Sequence, residues 1–262
     1  TNDYSGYSVS LDSDGDRVAI GAYGNDGNGT DAGHVRIYSW DGSSWSQLGS
    51  DIDGEAAGDD FGYSVSLDSD GDRVAIGAQG NDGNGTLAGH TRIYSWNGSS
   101  WSQLGSDIDG ELERDRSGYS VSLDSDGDRV AIGAYGNDGN GTDAGHTRIY
   151  SWNGSSWSQL GSDIDGEAAN DFSGWSVSLN SDGDRVAIGA YPNDGNGTSS
   201  GHVRIYSWDG SSWNQIGSDI DGEDVYDRSG VSVSLDSDGD RVAIGAHNND
   251  GNGNSAGHVR VY

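Results

Sequence analysis

The chain has 262 residues, a formal net charge of −30, 31% hydrophobic residues, 46 glycines and no Cys or Met. The lack of cysteine excludes a disulfide framework and a thiolate metal site. No apolar run of the length of a membrane-spanning helix is present. So acidic a field repels nucleic acid and anionic membranes and attracts cations, calcium above all; it also suits a solvated, salt-adapted surface. Low hydrophobicity with high net charge is a composition of disordered chains. Here 9 Trp and 13 Tyr, set in strict periodicity, offer enough buried area for a fold. The chain opens on Thr1 with no signal-peptide pattern, as expected of a processed chain or an excised fragment.

Tyr7 to Ala22 returns almost unchanged at Tyr63, Tyr119, Trp175 and Val231, each time 56 residues on. Within it Val9 and Leu11 alternate with serines, and Val18 and Ile20 alternate with Ala19 and Gly21, so both halves read as strands. Asp14-Gly15 between them is a signal for a type I′ turn, which needs two residues at positive φ. The stretch is therefore a β-hairpin. The segment Gly24 to Gly33 consists of loop formers, His34 to Tyr38 is a third strand, and Asp41-Gly42 is a second tight turn. A fourth strand is expected over Trp45 to Asp53, and Gly54 to Asp60 leads to the next copy.

Four antiparallel strands per repeat, without helices, predict an all-β five-bladed β-propeller, the near-identity of the copies favouring a ring of their own over five blades of a larger one. It is read as one domain over 1–262, with repeats near 6–61, 62–117, 118–173, 174–229 and 230–262. Val18 and Ile20 fill a blade face, while Ala19 and Gly21 leave room for the neighbouring blade. Trp40 and Trp45, with their copies, pack across the outer hairpin. Five full periods would need 280 residues, so the last blade is expected to lack its outermost strand. Gly257 to Tyr262 then forms an open edge, a template for strand addition or self-association.

At Asp60-Phe-Gly-Tyr-Ser-Val65, Val74 to Ala78 and Gly89 to Tyr94 the chain resembles the FG-GAP repeat of integrin α propellers. The resemblance spans all five units, although the Phe-Gly pair is intact only at Phe61-Gly62. It implies a propeller, an extracellular setting, adhesion or ligand binding, and calcium in some blades. Family members place calcium on spaced acids of the first hairpin loop. In this chain Arg17 occupies the position of the last acid, so that loop reads as a tight turn with Arg17 paired to carboxylates.

The better calcium candidate is Asn25 to Thr30, where Asp26 and Asn28 have the one-three spacing of a calcium loop. It recurs as Asp82 and Asn84, Asp138 and Asn140, Asp194 and Asn196, and Asp250 and Asn252; the same letters also make plain self-capping turns. Asn28, Asn84, Asn140, Asn196, Asn97 and Asn153 are glycosylation acceptors by pattern. His34, His90, His146, His202 and His258 open the third strands and read as structural hydrogen-bonding groups. Copy-to-copy differences gather at Tyr23, Gln79, Tyr135, Tyr191 and His247, and around Asp59, Asp115, Asp171 and Asp227. These positions predict a recognition face at one end of the blades.

The expected function is a non-catalytic, secreted or surface-displayed adhesion, scaffold or assembly module that binds calcium and a protein or glycan ligand. A lectin with one sugar pocket per blade, and a consensus propeller without a natural ligand, are the alternatives. Near-symmetric copies offer no asymmetric catalytic set, so the chain is not expected to be an enzyme.

Overall fold

The computed structural model describes residues 2–262, and all its regular structure is β. Among the described residues no helix is long and apolar enough to cross a membrane. In the first blade β1 (Ser8–Leu11), β2 (Arg17–Ala22) and β3 (His34–Trp40) pair antiparallel in sequence order. β4 (Trp45–Gln47) and β5 (Ile52–Asp53) then both pair with β3, at its two ends.

The expected continuous fourth strand is thus two short pieces, broken around Gly49. The reason is the next repeat. A Cβ at Gly49 would lie 2.8 Å from Trp96, and its φ of 82° suits only glycine without strain. The indole of Trp101 donates to the Leu48 carbonyl, 2.8 Å away, in that same break. Trp40 and Trp45 face each other in register, with ring centroids 5.6 Å apart, so the tryptophans also pack across their own hairpin.

The first hairpin differs from a type I′ turn. Gly15 has φ 71° but Asp14 is not left-handed, because Ser13 to Asp16 form a longer connection closed by Asp12. Asp12 Oδ1 accepts the Arg17 amide, and Ser13 reaches the Ser69 carbonyl of the next repeat. Nor is Arg17 paired to a carboxylate. Its guanidinium donates to the Gly71 carbonyl, 3.0 Å away, because the next repeat's turn lies closer to it than any acid of its own loop.

The plan repeats in four sheets, and the fifth has three strands, Ser229–Leu235, Val242–Ala246 and His258–Val261. This is a five-bladed β-propeller whose last blade lacks the fourth strand. The outer side of His258–Val261 has no strand partner among the described residues.

Two compact units are distinguished, 1–130 with 151–158, and 131–150 with 159–262. In the first, Ala19, Val35, Ile37 and Ile52 of one blade meet Leu67, Val74 and Ile76 of the next in a buried cluster. Glycine makes the close approach possible: a Cβ at Gly21 would collide with the Gly62 carbonyl oxygen. In the second unit Ala131, Ile149 and Ile164 pack on Val177, Leu179, Val186 and Ile188, and Ala187 and Val203 on Val242 and Ile244. The alternation of small and large residues read from sequence is what builds these junctions.

Candidate recognition end

The loop after β2 and the loop entering the next blade are stitched together by backbone. Gly58 donates to Thr30, Asp60 to Asp31 and Phe61 to Ala32, and Gly33 bridges Phe61 in parallel. Each Asp-Gly-Asn loop therefore sits beside an acidic connection, as the strand order predicts. Asp26 Oδ1 accepts the Asp31 amide at 3.0 Å, and Asp82, Asp138, Asp194 and Asp250 do the same for Leu87, Asp143, Ser199 and Ser255. The Asn28, Asn84, Asn140 and Asn196 amides each donate to a glycine carbonyl 2.8 Å away in the neighbouring loop. Asn252 lies in the corresponding exposed loop of the last blade. Asn97 and Asn153 cap the outer turns, their Oδ1 accepting the amides of Ser99 and Ser155 at 3.0 Å.

Of the expected recognition residues, Asp59, Asp115, Asp171 and Asp227 are buried and do not face solvent. Each carboxylate accepts amides of its own connection, such as Ala56 for Asp59 and Leu112 for Asp115. The loop needs an internal acceptor for these amides, and the acid at this position supplies it. Asp227 also holds Asn249 at 2.9 Å. Gln79 is buried too, and donates to Asp60 Oδ2 at 3.3 Å. Burial pushes the Asp60 carboxyl up to about 6, an effect the Gln79 hydrogen bond opposes and Asp31 reinforces. His247 is exposed.

The tyrosines behave differently. Tyr23 stacks on Tyr4 with centroids 5.0 Å apart and planes 2° from parallel, and it meets Tyr7 edge-on at 4.7 Å and Tyr63 at 5.4 Å. Tyr7 donates to the Tyr63 hydroxyl, or accepts from it, across 2.8 Å, and Tyr63 continues to Tyr119 at 5.0 Å. In the second unit Trp175 lies 5.1 Å from Tyr135 and 4.5 Å from Tyr191, and the Arg228 guanidinium sits over the Tyr191 ring. Each unit thus carries an aromatic belt, and Tyr4 and Tyr7 are more than half exposed on it. Sequence reading named Tyr23, Tyr135 and Tyr191 but missed Tyr7, Tyr63, Tyr119 and Trp175. The signal was present: an aromatic opens four of the five hairpins, and only Val231 departs.

Of the histidines opening the third strands, His90 differs from expectation. His90 is buried, and neither ring nitrogen has a hydrogen-bond partner; Asp107 Oδ2 lies 4.0 Å from Nδ1. Burial, then the nearby Arg92, holds its pKa down to about 4, so the ring is neutral near pH 7. Within single units, three groups bring possible ligand atoms within 4.8 Å of one another: His34, Asp51 and Asp53; Glu55, His90 and Asp107; Glu167, His202 and Asp219. Acidic and imidazole groups therefore converge closely enough to hold a metal ion. An arginine accompanies each group. Arg92 donates to both oxygens of Asp107 and to Glu55, and thereby depresses both carboxyls. Arg36 grips Asp51 in the same two-pronged way and holds it at about 2. The guanidinium supplies the charge that a cation would; Arg92 on Glu55 thereby fastens one repeat to the next, whereas Arg36 and Asp51 lie within a single repeat.

Comparison with known families adds a decisive observation. The FG-GAP repeat family matches residues 1–38, 51–94, 108–150 and 163–206. The chain belongs to the FG-GAP repeat family. No curated protein matches it in sequence.

Among solved structures, this FG-GAP chain resembles a candidate 6-phosphogluconolactonase from Bacteroides uniformis, with TM-score 0.60 and 13% identity over 98% of this chain and 70% of that one. A periplasmic gluconolactonase from Pseudomonas aeruginosa gives TM-score 0.59 and 12% identity, covering 90% of this chain and 64% of that one. Hydrazine synthase from Kuenenia stuttgartiensis gives 0.54 and 10%, covering 91% of this chain and just 55% of its own. At such identities the likeness is one of fold. It corrects the expectation that the chain is not an enzyme. That expectation rested on near-symmetric blades, and the two lactonases share the repeated-blade fold while bearing enzyme names.

Proposed function

We propose that this FG-GAP chain is an extracellular recognition module of the adhesion or assembly kind, which engages a protein or glycan ligand through the aromatic-lined loop end of its blades. The observation that supports it is the aromatic belt. Stacked, partly exposed tyrosines are rigid amphipathic surface, ordered at low entropic cost when a ligand docks. Neighbouring Asp60 and Asp31 add polar contacts at the rim. A lectin is the second reading, favoured by the parallel Tyr4–Tyr23 pair beside carboxylates. The edge Gly257 to Tyr262 is a further place for strand addition by a partner.

Calcium enters this reading in a limited form. In each loop Asp26 Oδ2 and Asn28 Oδ1, or their copies, remain for a cation, well short of the six to eight oxygens calcium takes. Water would complete the shell, as in weak extracellular sites.

A glycan array run in calcium and in chelator, on the chain and on Tyr4→Ala and Tyr23→Ala variants, tests the proposal. Saturable binding near one sugar per blade selects the lectin. Partner binding that weakens at least about tenfold in the variants, at unchanged melting temperature, supports recognition by the belt. Binding indifferent to both substitutions overturns it.

A further inference from the structure

Every junction between successive repeats described within a unit uses one chemical pattern. From the earlier repeat Ser8 Oγ donates to Gly62 O at 2.7 Å, Ser10 Oγ accepts from Leu67 N at 2.9 Å, and Arg17 Nη1 donates to Gly71 O at 3.0 Å. In the second unit Ser176 meets Gly230 at 2.9 Å, Ser178 meets Leu235 at 3.0 Å and Arg185 meets Gly239 at 2.9 Å. Apolar side chains of the later repeat's first strand complete the seat, with Leu67 and Leu179 each 7% exposed.

Two faces carry the halves of this pattern without the other half. On the first blade Val9 and Leu11 are 63% and 59% exposed. On the fifth blade Val259 and Val261 are both 67% exposed, whereas the matching Val35 and Ile37 of the first blade are 0% exposed. Arg241, the counterpart of Arg17, reaches no turn carbonyl. It swings back towards Asp236 at 3.9 Å and stays largely in solvent. A Cβ at Gly245 would meet no other blade's carbonyl, only its own blade's Ser232.

We infer that these faces form one further junction between two copies of the chain, the fifth blade of one copy seated on the first blade of the next. The occupant follows from the repeat itself. Wherever the equivalent face is covered in this chain, another repeat of the same sequence covers it. The fifth blade offers the required Ser232, Ser234, Arg241, Val259 and Val261 towards Gly6, Leu11, Gly15 and Val9 of the partner copy. The contact is heterologous, so it propagates head to tail. It omits the Trp101-to-Leu48 and Arg92-to-Glu55 contacts of an internal junction, whose earlier-repeat halves lie past the third strand. It is therefore weaker than an internal one, and two acidic copies bind better as salt screens their repulsion. The inference is independent of the ligand proposed for the loop end.

Sedimentation velocity on the full chain tests it, with Leu11→Asp and Val261→Asp, both at exposed positions and both expected to melt as the parent does. The parent should form a concentration-dependent series extending past the dimer and lengthening with salt. Each variant alone should stay monomeric. Mixed, they should yield a one-to-one dimer and nothing larger, since only one competent face of each kind remains. A parent that is monomeric up to about 100 µM, well above the Kd of a standard specific interface, overturns the inference. So does association unaffected by either variant, or a mixture that forms no dimer.

Discussion

Replacing Gly77 by alanine probes the close approach that sets the spacing of successive blades. The added Cβ would fall inside the van der Waals radius of the Gly118 carbonyl oxygen, a backbone atom that cannot rotate away. That oxygen also accepts the Ser64 hydroxyl at 2.8 Å. Forcing an extra methyl into a packed contact costs about 1–3 kcal/mol, and losing the hydrogen bond about 1 kcal/mol more. Alanine in place of glycine in a strand returns roughly 0.5–1 kcal/mol. The net loss is about 1–3.5 kcal/mol, a fall in melting temperature of roughly 2–14 °C for a chain of this size. Gly245→Ala is the internal control, because its Cβ meets only the mobile Ser232 hydroxyl; its cost should be near zero. Differential scanning calorimetry and urea melts of both variants measure the difference. Equal destabilisation by the two substitutions would refute the claim that the carbonyl contact, and not the strand itself, requires glycine.

Arg92→Met should lower stability by about 1–3 kcal/mol in urea melts, since it strands the partly buried Asp107 without its cation and frees the exposed Glu55. Trp101→Phe keeps most of the packing and removes the indole donor to Leu48, for a loss of about 1 kcal/mol by the same melts. His90 has a folded pKa depressed to about 4. Its contribution is complete above the unfolded value near 6.5 and is lost as pH falls towards 4; His90→Gln should flatten that part of a stability–pH curve. Asp60 works in the opposite sense, with its carboxyl raised to about 6. Its contribution is complete below about 4 and lost as pH rises through 6, so Asp60→Asn should stabilise at pH 7 and not at pH 4.

The blade plan was legible because its cause is local. Period-two alternation of Val18 and Ile20 with Ala19 and Gly21 states which face is large and which is small, and the repeat states what each meets. The break at Gly49 was not legible, because the atoms that force it belong to Trp96 and Trp101 in the following repeat. Asp59 and its copies vary little in chemistry but sit among variable neighbours, which drew attention to them; their burial depends on amides of their own loop. The belt joins Tyr7 to Tyr63 and Tyr23, positions far apart in sequence, so only the register of paired strands reveals it. Arg17 looked like a partner for nearby acids, yet its amide takes the acid and its guanidinium goes elsewhere.

The serine, arginine and glycine contacts recur at a constant offset, Ser8 to Gly62 as Ser176 to Gly230. Each unit of sequence consequently encodes both a plug and its matching socket. Recombination that duplicates or deletes a whole unit leaves every surviving joint chemically unaltered, so copy number can drift in a lineage without inventing any new surface. Selection can then act on how many units a gene carries separately from how well any two of them fit.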